Sequence, residues 1–240
     1  MSIHPSSCTN DRTISLGMVK GASVDAVKVD GRVERGEQTR RQILRRAAEI
    51  ASVEGLEGLS IGRLATELEI SKSGVFAHFG SKEELQLSTV RAAAAIFARQ
   101  VVDPVLTVPP GRARLELLLD GWLAYSENRT FPGGCFFYAV QAEFDARPGR
   151  VREAIAGYGR EWNSYVRDTV AAIGEVADPD QVAFELVAFL EMANAQSVLH
   201  DDPHAYDRAR AAVRNRLAQA GAATSGTAAS DTAVSGTALR

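Results

Sequence analysis

A pair of short helices joined by a tight turn is predicted between Ser60 and Phe79, and this segment constrains the fold more than any other part of the chain. One side of the first helix is expected to be buried, because apolar residues recur at helical spacing at Ile61, Leu64, Ala65 and Leu68. Ser71 is expected to cap a second helix with its hydroxyl. Each helix has room for about two turns, which are the proportions of a helix-turn-helix whose second helix enters the major groove of DNA.

The exposed side of the second helix carries residue types that suit DNA. The residues expected to face solvent are Lys72, Ser73, Ala77 and His78. A lysine and short polar side chains can meet phosphates and base edges, and Gly74 allows the backbone to come close. Arg63 lies in the first turn of the first helix and has two interpretations. It is either a solvated arginine or one whose charge is neutralised by a DNA phosphate.

Composition is that of an ordinary globular protein. The chain has 240 residues, of which 45% are hydrophobic and 24% charged, so a sizeable core is possible. The net charge of −3 gives no general attraction to a polyanion. Cys8 and Cys135 are far apart and lack the spacing of a zinc site or disulfide framework, which favours a reducing cytoplasm. No apolar run reaches membrane-spanning length, so no membrane partner is expected.

The two ends differ from the middle of the chain. Residues 1–34 lack apolar periodicity and residues 221–240 are rich in Ala, Thr, Ser and Gly, so both are expected to be disordered. Met18 is an alternative translation start to Met1. Between the ends, we expect a helix-turn-helix DNA-binding domain over 35–83 and a larger helical domain over 84–220, to which the family resemblance given below assigns effector binding and dimerisation.

About nine helices are predicted in an all-α fold. The first is expected to begin at Thr39, which forms a capping-box pattern with Gln42. The fourth carries two apolar stripes over 83–101, so it is expected to be buried from two sides as a connector between the domains. Asp178-Pro179 and Asp202-Pro203 are cap-plus-proline signals that open the last two helices.

The eighth helix is apolar almost all round and therefore needs burial on both sides. It lies either at the centre of a monomer or between the core and a second copy of the chain. A two-fold dimer is the commonest soluble oligomer, and one helix-turn-helix alone binds DNA weakly, so we favour a homodimer. The expected interface consists of Phe184, Val187, Leu190, Tyr206, Val213 and Leu217.

The residues from Thr39 to Leu85 resemble the TetR-type one-component transcriptional regulators. Matching the family's signature are Gly55, Ser60, Ile61, Leu64, Ala65, Ile70, Ser71, Lys72, Gly74, Val75, His78, Phe79, Ser81, Lys82 and Leu85. The resemblance implies a homodimer with an N-terminal DNA-binding unit and a C-terminal body that holds a small effector. It also implies that the last two long helices form the dimer.

The resemblance further assigns roles in DNA binding to individual positions. The base-facing and backbone-facing part of the recognition helix would be Ser71, Lys72, Ser73 and Gly74, and the phosphate contacts would be Arg40, Ser60, His78 and Lys82. Phe76 stands where the family usually has a tyrosine, so its contact with DNA would be apolar, with a thymine methyl as a candidate. Glu69 stands where a glycine usually makes the turn, at a cost of about 1 kcal/mol if its backbone is left-handed.

An effector cavity between helices is expected to be lined by aromatic side chains. The candidates are Phe97, Trp122, Tyr125, Phe136, Phe137, Trp162 and Tyr165. Polar anchors could come from Asn128, Gln141, Glu143, Asn163 and Asn194, and the sequence does not choose among them. Cys135 is interpreted as a buried apolar cysteine rather than a redox sensor.

The main competing class is an enzyme or small-molecule-binding helical protein with a vestigial helix-turn-helix. Motifs of metalloproteases, nucleotide-binding loops and hydrolase elbows do not occur in the sequence. The cluster from His200 to His204 has metal-ligand residue types, but a cap followed by a proline explains it as a loop. We therefore expect no metal, cofactor or catalytic residue. The sequence favours a cytoplasmic regulator, most simply a repressor that a small molecule releases from a palindromic double-stranded operator.

Overall fold

Helices form the whole regular structure of the described part of the chain. The computed structural model describes residues 31–174 and 176–227. In chain order the helices are α1 Gly31–Glu54, α2 Ile61–Glu67, α3 Lys72–Phe79, α4 Lys82–Phe97, α5 Arg112–Glu127, α6 Phe136–Phe144, α7 Arg150–Ala171, α8 Pro179–Leu199 and α9 Ala205–Thr227. A π-helical turn, Ala98–Val102, and a 3-10 turn, Asp103–Val105, follow α4. The predicted all-α class and helix count are confirmed over these residues.

The first helix is longer than the sequence suggested. It begins at Gly31, inside the segment expected to be disordered, and Thr39 lies in its interior. Thr39 donates its hydroxyl to the carbonyl oxygen of Arg35 at 3.0 Å, so it does not cap the helix. No proline interrupts this stretch, and one glycine within a helix costs only about 1 kcal/mol. Residues 1–30, with Met18 and Cys8, and residues 228–240 lie outside the described residues.

Serine caps define the helices of the N-terminal unit. Ser60, Ser71 and Ser81 each accept a hydrogen bond from the backbone amide three residues on, at the starts of α2, α3 and α4. Gly80 ends α3 in the left-handed conformation with φ 72°, which is why α4 can begin immediately. The predicted helix-turn-helix therefore forms from local signals in the sequence.

The connector α4 is buried on two sides, as its two apolar stripes predicted. It packs on α1, in the N-terminal unit, and on α7, in the C-terminal body. Beyond Phe97 the chain continues through the π-helical and 3-10 turns, so the regular α-helix ends before Pro104. The C-terminal body, α5 to α9, encloses the end of this connector.

The last two long helices pack against each other and leave an apolar outer face on α8. Its buried side comprises Val182, Ala183, Leu186, Leu190, Ala193 and Asn194. Phe184, Met192 and Leu199 point outward and are 71%, 57% and 77% exposed. By length and composition α8 could cross a membrane, so the expectation that no apolar run is long enough was wrong. The apolar composition of α8 is also explained by its packing on α7 and α9 inside the protomer, which requires an apolar core-facing side.

Four residues predicted to form the dimer interface lie inside the protomer. These are Leu190, Tyr206, Val213 and Leu217. The Tyr206 hydroxyl lies 2.8 Å from the Ser126 hydroxyl, which also donates to the Asn194 side chain at 2.8 Å. These positions fill the contact between α8, α9 and α5, so they are unavailable to a partner. Of the six predicted residues, Phe184 and Val187 retain accessible side chains.

Glu69, in the turn between α2 and α3, has a left-handed backbone with φ 54°. A residue with a side chain in this conformation is strained by roughly 1–2 kcal/mol relative to glycine. Replacing it by glycine removes the strain, but the more flexible unfolded chain offsets part of that stabilisation. We expect Glu69→Gly to raise the free energy of unfolding by about 0.5–1 kcal/mol. Glu69→Ala is the control, because it removes the same charge and keeps the strain. Equal melting temperatures of these two variants would contradict the assignment of strain.

Candidate nucleic-acid interface and effector cavity

The solvent-facing side of α3 brings together most of the predicted base-reading residues. Ser71, Lys72, Ser73 and Phe76 are exposed, and Phe76 is 54% exposed despite being aromatic. Val75 and Phe79, on the opposite side, are buried in the core. The Ser71 hydroxyl accepts from the Gly74 amide at 3.0 Å, and a Cβ at Gly74 would lie 3.0 Å from the same oxygen. Gly74 thus makes room for the cap as well as for an approaching ligand.

Lys72 is a cation on this face that forms no ion pair with the residues that the structure describes. Its side chain runs beside α2, where a Cβ on Gly62 would be 3.3 Å from its Cε. Among the ion pairs of the described residues, none involves Lys72. Because Gly62 has no side chain, the Lys72 side chain can lie against α2 without steric overlap. His78, half-buried near the end of α3, has its ring 6.0 Å from that of Phe79.

Arg63 does not lack a counter-charge. It donates to both carboxylate oxygens of Glu54, one of them at 2.8 Å, and its Nε donates to Glu67 at 2.8 Å. These hydrogen bonds, to Glu54 first and Glu67 second, raise the pKa of the Arg63 guanidinium. Glu54 and Glu67 take the place that the sequence allowed for a phosphate. Arg63 is therefore a bridge between α1 and α2, and its prediction as a DNA contact is not supported.

Two other predicted phosphate contacts are engaged within the protein. The Arg40 guanidinium stacks 5.2 Å from the Phe79 ring centre and donates to Ser88 at 3.2 Å, which joins α1 to α3 and α4. The Lys82 amine donates to the Glu57 carboxylate at 2.9 Å and to its carbonyl oxygen at 2.8 Å. Ser60 uses its hydroxyl to cap α2. For Arg40 and Lys82, binding a phosphate would mean exchanging an existing partner.

An aromatic cavity lies within the C-terminal body. It contains about 690 Å³ of empty space, including the part open to solvent. Its wall comprises Phe97, Trp122, Cys135, Phe137, Tyr138, Gln141, Tyr158, Gly159, Trp162, Asn163, Val187, Leu190 and Glu191. Phe97, at the end of α4, contacts Trp162 edge to face with ring centres 5.1 Å apart. The cavity therefore reaches the connector to the DNA-binding unit directly.

The DNA-binding unit and the C-terminal body each match a model of the same protein family. Residues 43–88 match the model described as bacterial regulatory proteins of the tetR family, and residues 111–213 match the model described as a Tetracyclin repressor-like C-terminal domain. The chain belongs to the TetR family. It is a DNA-binding, ligand-responsive transcriptional regulator, as the sequence predicted. No curated protein matches the chain.

Solved structures of TetR-family regulators share the fold of this chain. A regulator from Chloroflexus aurantiacus is 24% identical with a TM-score of 0.70, covering 78% of this chain and 97% of its own. A putative regulator from Saccharomonospora viridis in complex with choline is 22% identical with a TM-score of 0.63, covering 76% and 96%. AibR in complex with isovaleryl coenzyme A and operator DNA is 19% identical with a TM-score of 0.54, covering 64% and 84%. At these identities the likeness establishes the fold.

Three of the predicted cavity residues of this TetR-family chain are absent from the cavity wall. Phe136 is fully buried between Phe131 and Phe137, with ring centres 5.8 Å and 5.3 Å away. Tyr125 is buried and packs edge to face on Phe97, with ring centres 5.3 Å apart. Tyr165 lies along α7 beyond Trp162 and is half-buried. Helical spacing identified all three as inward-facing, but it does not distinguish core from cavity wall.

The sequence left the polar residues of the cavity undecided, and the structure separates them. Gln141 and Asn163 line the wall, whereas Asn194 accepts hydrogen bonds from Ser126 and from the Cys135 amide inside the core. Glu191 was missed entirely. It belongs to the same turn of α8 as Leu190, and its charge would have been the signal in an otherwise apolar stretch.

Cys135 and the loop from His200 to His204 have structural roles. Burial raises the pKa of the Cys135 thiol to about 11, so the thiol is protonated at neutral pH. Asp202 accepts from the His204 amide at 2.9 Å and pairs with Arg208, which fixes the start of α9. Within the described ranges, no group of three His, Cys, Asp or Glu side chains is placed to hold a metal ion.

Besides the chain path through α4, contacts from α6 and α7 tie the DNA-binding unit and the start of α4 to the body. The Glu143 carboxylate, on α6, accepts from the amides of Leu56 and Glu57 at 2.7 Å and 2.9 Å. Gly55 has a left-handed backbone with φ 78°, which favours glycine, and an added Cβ would also lie 2.5 Å from that carboxylate. Arg150, at the start of α7, pairs with Glu83 and Glu84 at the start of α4. Glu143 is therefore a link between domains and not a ligand anchor.

Proposed function

We propose that this TetR-family regulator is a cytoplasmic, non-enzymatic repressor that works without a cofactor. A homodimer would bind a near-palindromic operator, and a small molecule in the aromatic cavity would release it. The observation that supports the proposal is the placement of Phe97. This residue forms part of the cavity wall at one end of α4, and the other end of α4 follows α3 after the short Gly80-Ser81 turn. Movement of α4 would change the spacing of two recognition helices.

The cavity also touches α6, which gives a second route to the DNA-binding unit. Phe137 and Gln141 of α6 line the wall. Glu143, on the same helix, accepts hydrogen bonds from the backbone amides of Leu56 and Glu57. An effector that displaced either wall residue would move the carboxylate against the loop between α1 and α2. Coupling through α4 and α6 together would rotate the DNA-binding unit, and release requires that the effector prefer the rotated state.

The proposed dimer surface combines the outer faces of α8 and α9. On α8 it includes the exposed Phe184, Met192 and Leu199. Between the two helices runs a shallow groove lined by Phe189, Met192, Ala193, Gln196, Ala205, Arg208, Ala209 and Ala212. Its alanine side chains would allow the helices of a second copy to approach closely. Exposed apolar surface of this kind on a soluble protein indicates an interface, and a two-fold arrangement would bury it in both copies.

On the DNA side, we propose contacts from Ser71, Lys72, Ser73, Gly74, Phe76 and His78, with Ser60 contributing its backbone. DNA from immediately upstream of the protein's own gene, titrated against a scrambled duplex by fluorescence anisotropy at two salt concentrations, tests this function. Tight and salt-sensitive binding that prefers the upstream duplex is expected. Weak and equal binding to both duplexes would contradict autoregulation through a local operator.

Lys72→Ala is expected to weaken operator binding on the order of tenfold. It should also reduce the slope of log affinity against log salt concentration by about one for each lysine removed, because one counterion fewer is released. The melting temperature should stay nearly unchanged, because Lys72 is exposed and has no ion pair among the described residues. Arg160→Ala is the matched control, since it removes one exposed positive charge on α7, outside α3 and outside the proposed dimer surface. Equal losses in the two variants would show that only overall charge matters.

A further inference from the structure

The wall of the aromatic cavity contains a carboxylate. We propose that the effector is an organic cation, held by the aromatic rings and by Glu191. This inference rests on the proposed function in one respect, that the cavity is the effector site. It goes beyond that function by assigning the charge and chemical class of the ligand.

Aromatic rings make up much of the cavity wall. Six of its residues are aromatic: Phe97, Trp122, Phe137, Tyr138, Tyr158 and Trp162. Phe97 meets Phe137 edge to face at 6.3 Å and Trp162 edge to face at 5.1 Å, so neighbouring rings turn different faces and edges toward the space between them. The face of an aromatic ring is negative and attracts cations, most strongly for tryptophan. A cluster of rings around one space favours a ligand with a diffuse positive charge.

Glu191 supplies a full negative charge beside these rings. Its Oε1 accepts a hydrogen bond from Gln141 Nε2 at 3.3 Å, which orients the carboxylate within the wall. Within the described part of the chain, no lysine, arginine or histidine nitrogen pairs with it at 4.0 Å or less. Arg167 lines a neighbouring surface depression with Glu191, but it pairs with Asp168 at 2.8 Å and lies 4.0 Å from Asp180. The carboxylate is therefore left for a cation from outside.

The charge of the wall also disfavours other ligands. None of the residues that line the cavity is basic. A carboxylate or phosphate ligand would lie near Glu191 without a counter-charge, which is costly in a partly desolvated site. A neutral ligand would bury apolar surface equally well but would leave the carboxylate unpaired. The cation is the class that uses both features of the wall.

Probes of matched shape can separate charge from apolar burial. Benzyltrimethylammonium is a small aromatic cation, neopentylbenzene replaces its nitrogen by carbon, and benzenesulfonate is a small aromatic anion. The chain has two tryptophans, Trp122 and Trp162, and both line the cavity, so intrinsic fluorescence reports on this site. We expect benzyltrimethylammonium to quench or shift the emission with at least tenfold higher affinity than neopentylbenzene. Benzenesulfonate should bind more weakly than either.

Glu191→Gln tests the carboxylate, because it keeps the size and hydrogen-bonding ability of the side chain. We expect this variant to lose at least tenfold in affinity for the cation and to bind neopentylbenzene unchanged. Glu153→Gln is the control: Glu153 is an exposed residue of α7 outside the cavity wall. This variant should bind all three probes as the parent does. A far-ultraviolet spectrum and melting curve of each variant show that it is folded.

Equal affinity of the parent for the cation and its carbon isostere would overturn the inference. So would a Glu191→Gln variant that still prefers the cation, or failure of the cation to alter the fluorescence at millimolar concentration. None of these results bears on operator binding, which the anisotropy titration measures without a probe. Loss of the cation preference with intact operator binding therefore refutes the ligand class alone, and weak, equal binding to the upstream and scrambled duplexes refutes the proposed operator and leaves the ligand class standing.

Discussion

Replacing Gly133 by alanine is expected to destabilise the native state by about 3 kcal/mol, which would lower the melting temperature by about 6–12 °C. The backbone of Gly133 rests against α1: its amide donates to the Ser52 hydroxyl at 3.1 Å. An added Cβ would overlap the Ser52 carbonyl oxygen and lie 2.5 Å from the carbonyl carbon. Both partners are backbone groups of packed segments, so a rotamer change cannot relieve the overlap. The loop before α6 or α1 itself must move.

The same substitution is expected to weaken communication between the domains. Arg45, also on α1, donates to the Thr130 carbonyl oxygen at 2.9 Å and stacks 5.2 Å from the Phe131 ring centre. Pushing this loop away from α1 would loosen these contacts as well. Calorimetry measures the loss of stability, and operator anisotropy with and without a cavity ligand measures the loss of coupling.

Gly157→Ala is the matched control for this prediction. Gly157 lies in α7 with no atom within 4 Å of an added Cβ. Alanine is favoured over glycine in a helix interior by about 1 kcal/mol, so this variant should melt slightly higher than the parent. The two glycine substitutions thus have opposite expected signs. A Gly133→Ala variant that melts with the parent would show that the loop does not pack on Ser52 in solution.

Local signals in the sequence were enough to predict the N-terminal unit. The serines that open α2 and α3 satisfy backbone amides within the next turn, and the left-handed Gly80 ends α3. These interactions connect residues close in sequence, so a pattern of residue types specifies them. The start of α1 was misjudged because a capping pattern at Thr39 also fits a helix interior, where the hydroxyl bonds a carbonyl of the previous turn.

Contacts between distant segments were not predictable in the same way. The partners of Arg63 come from α1 and α2, and Glu54 is brought to it only when the two helices cross. Periodicity placed Phe136 and Trp162 on inward faces, but whether an inward face meets core or cavity depends on how far the neighbouring helix stands away. The charge of Glu191 was visible in the sequence, but its aromatic surroundings were not.

The apolar character of α8 illustrates the same limit. Its composition predicted burial on two sides, and the structure shows one side packed in the protomer. Sequence reasoning assigned Leu190 and Phe184 to a single interface, although they lie on different sides of the helix. With the packed side of α8 known, the apolar side chains that remain exposed define a smaller candidate dimer surface than the sequence did, and substitution of one of them tests it.

Met192→Glu is expected to convert the proposed dimer to a monomer and to weaken operator binding by at least 100-fold. Met192 is 57% exposed and borders the groove between α8 and α9. In a two-fold interface each copy would contribute one such glutamate. Arg208, the basic residue that lines the groove, already pairs with Asp202, so both carboxylates would be buried without a free counter-charge. Burying an unpaired charge costs several kcal/mol, which is more than the loss of the apolar contacts that the methionine side chain would make in the interface. Sedimentation velocity measures the mass of the particle, and anisotropy measures its affinity for the operator.

Leu117→Glu is the control, because Leu117 is a 50% exposed apolar residue on α5, outside the proposed interface. This variant should remain dimeric and bind the operator as the parent does. The operator effect follows from geometry: two linked recognition helices occupy successive major grooves, and a single helix-turn-helix loses the second set of phosphate contacts. A Met192→Glu variant that sediments as a dimer would move the interface away from the outer face of α8. A monomeric variant with undiminished operator affinity would instead show that one DNA-binding unit is sufficient.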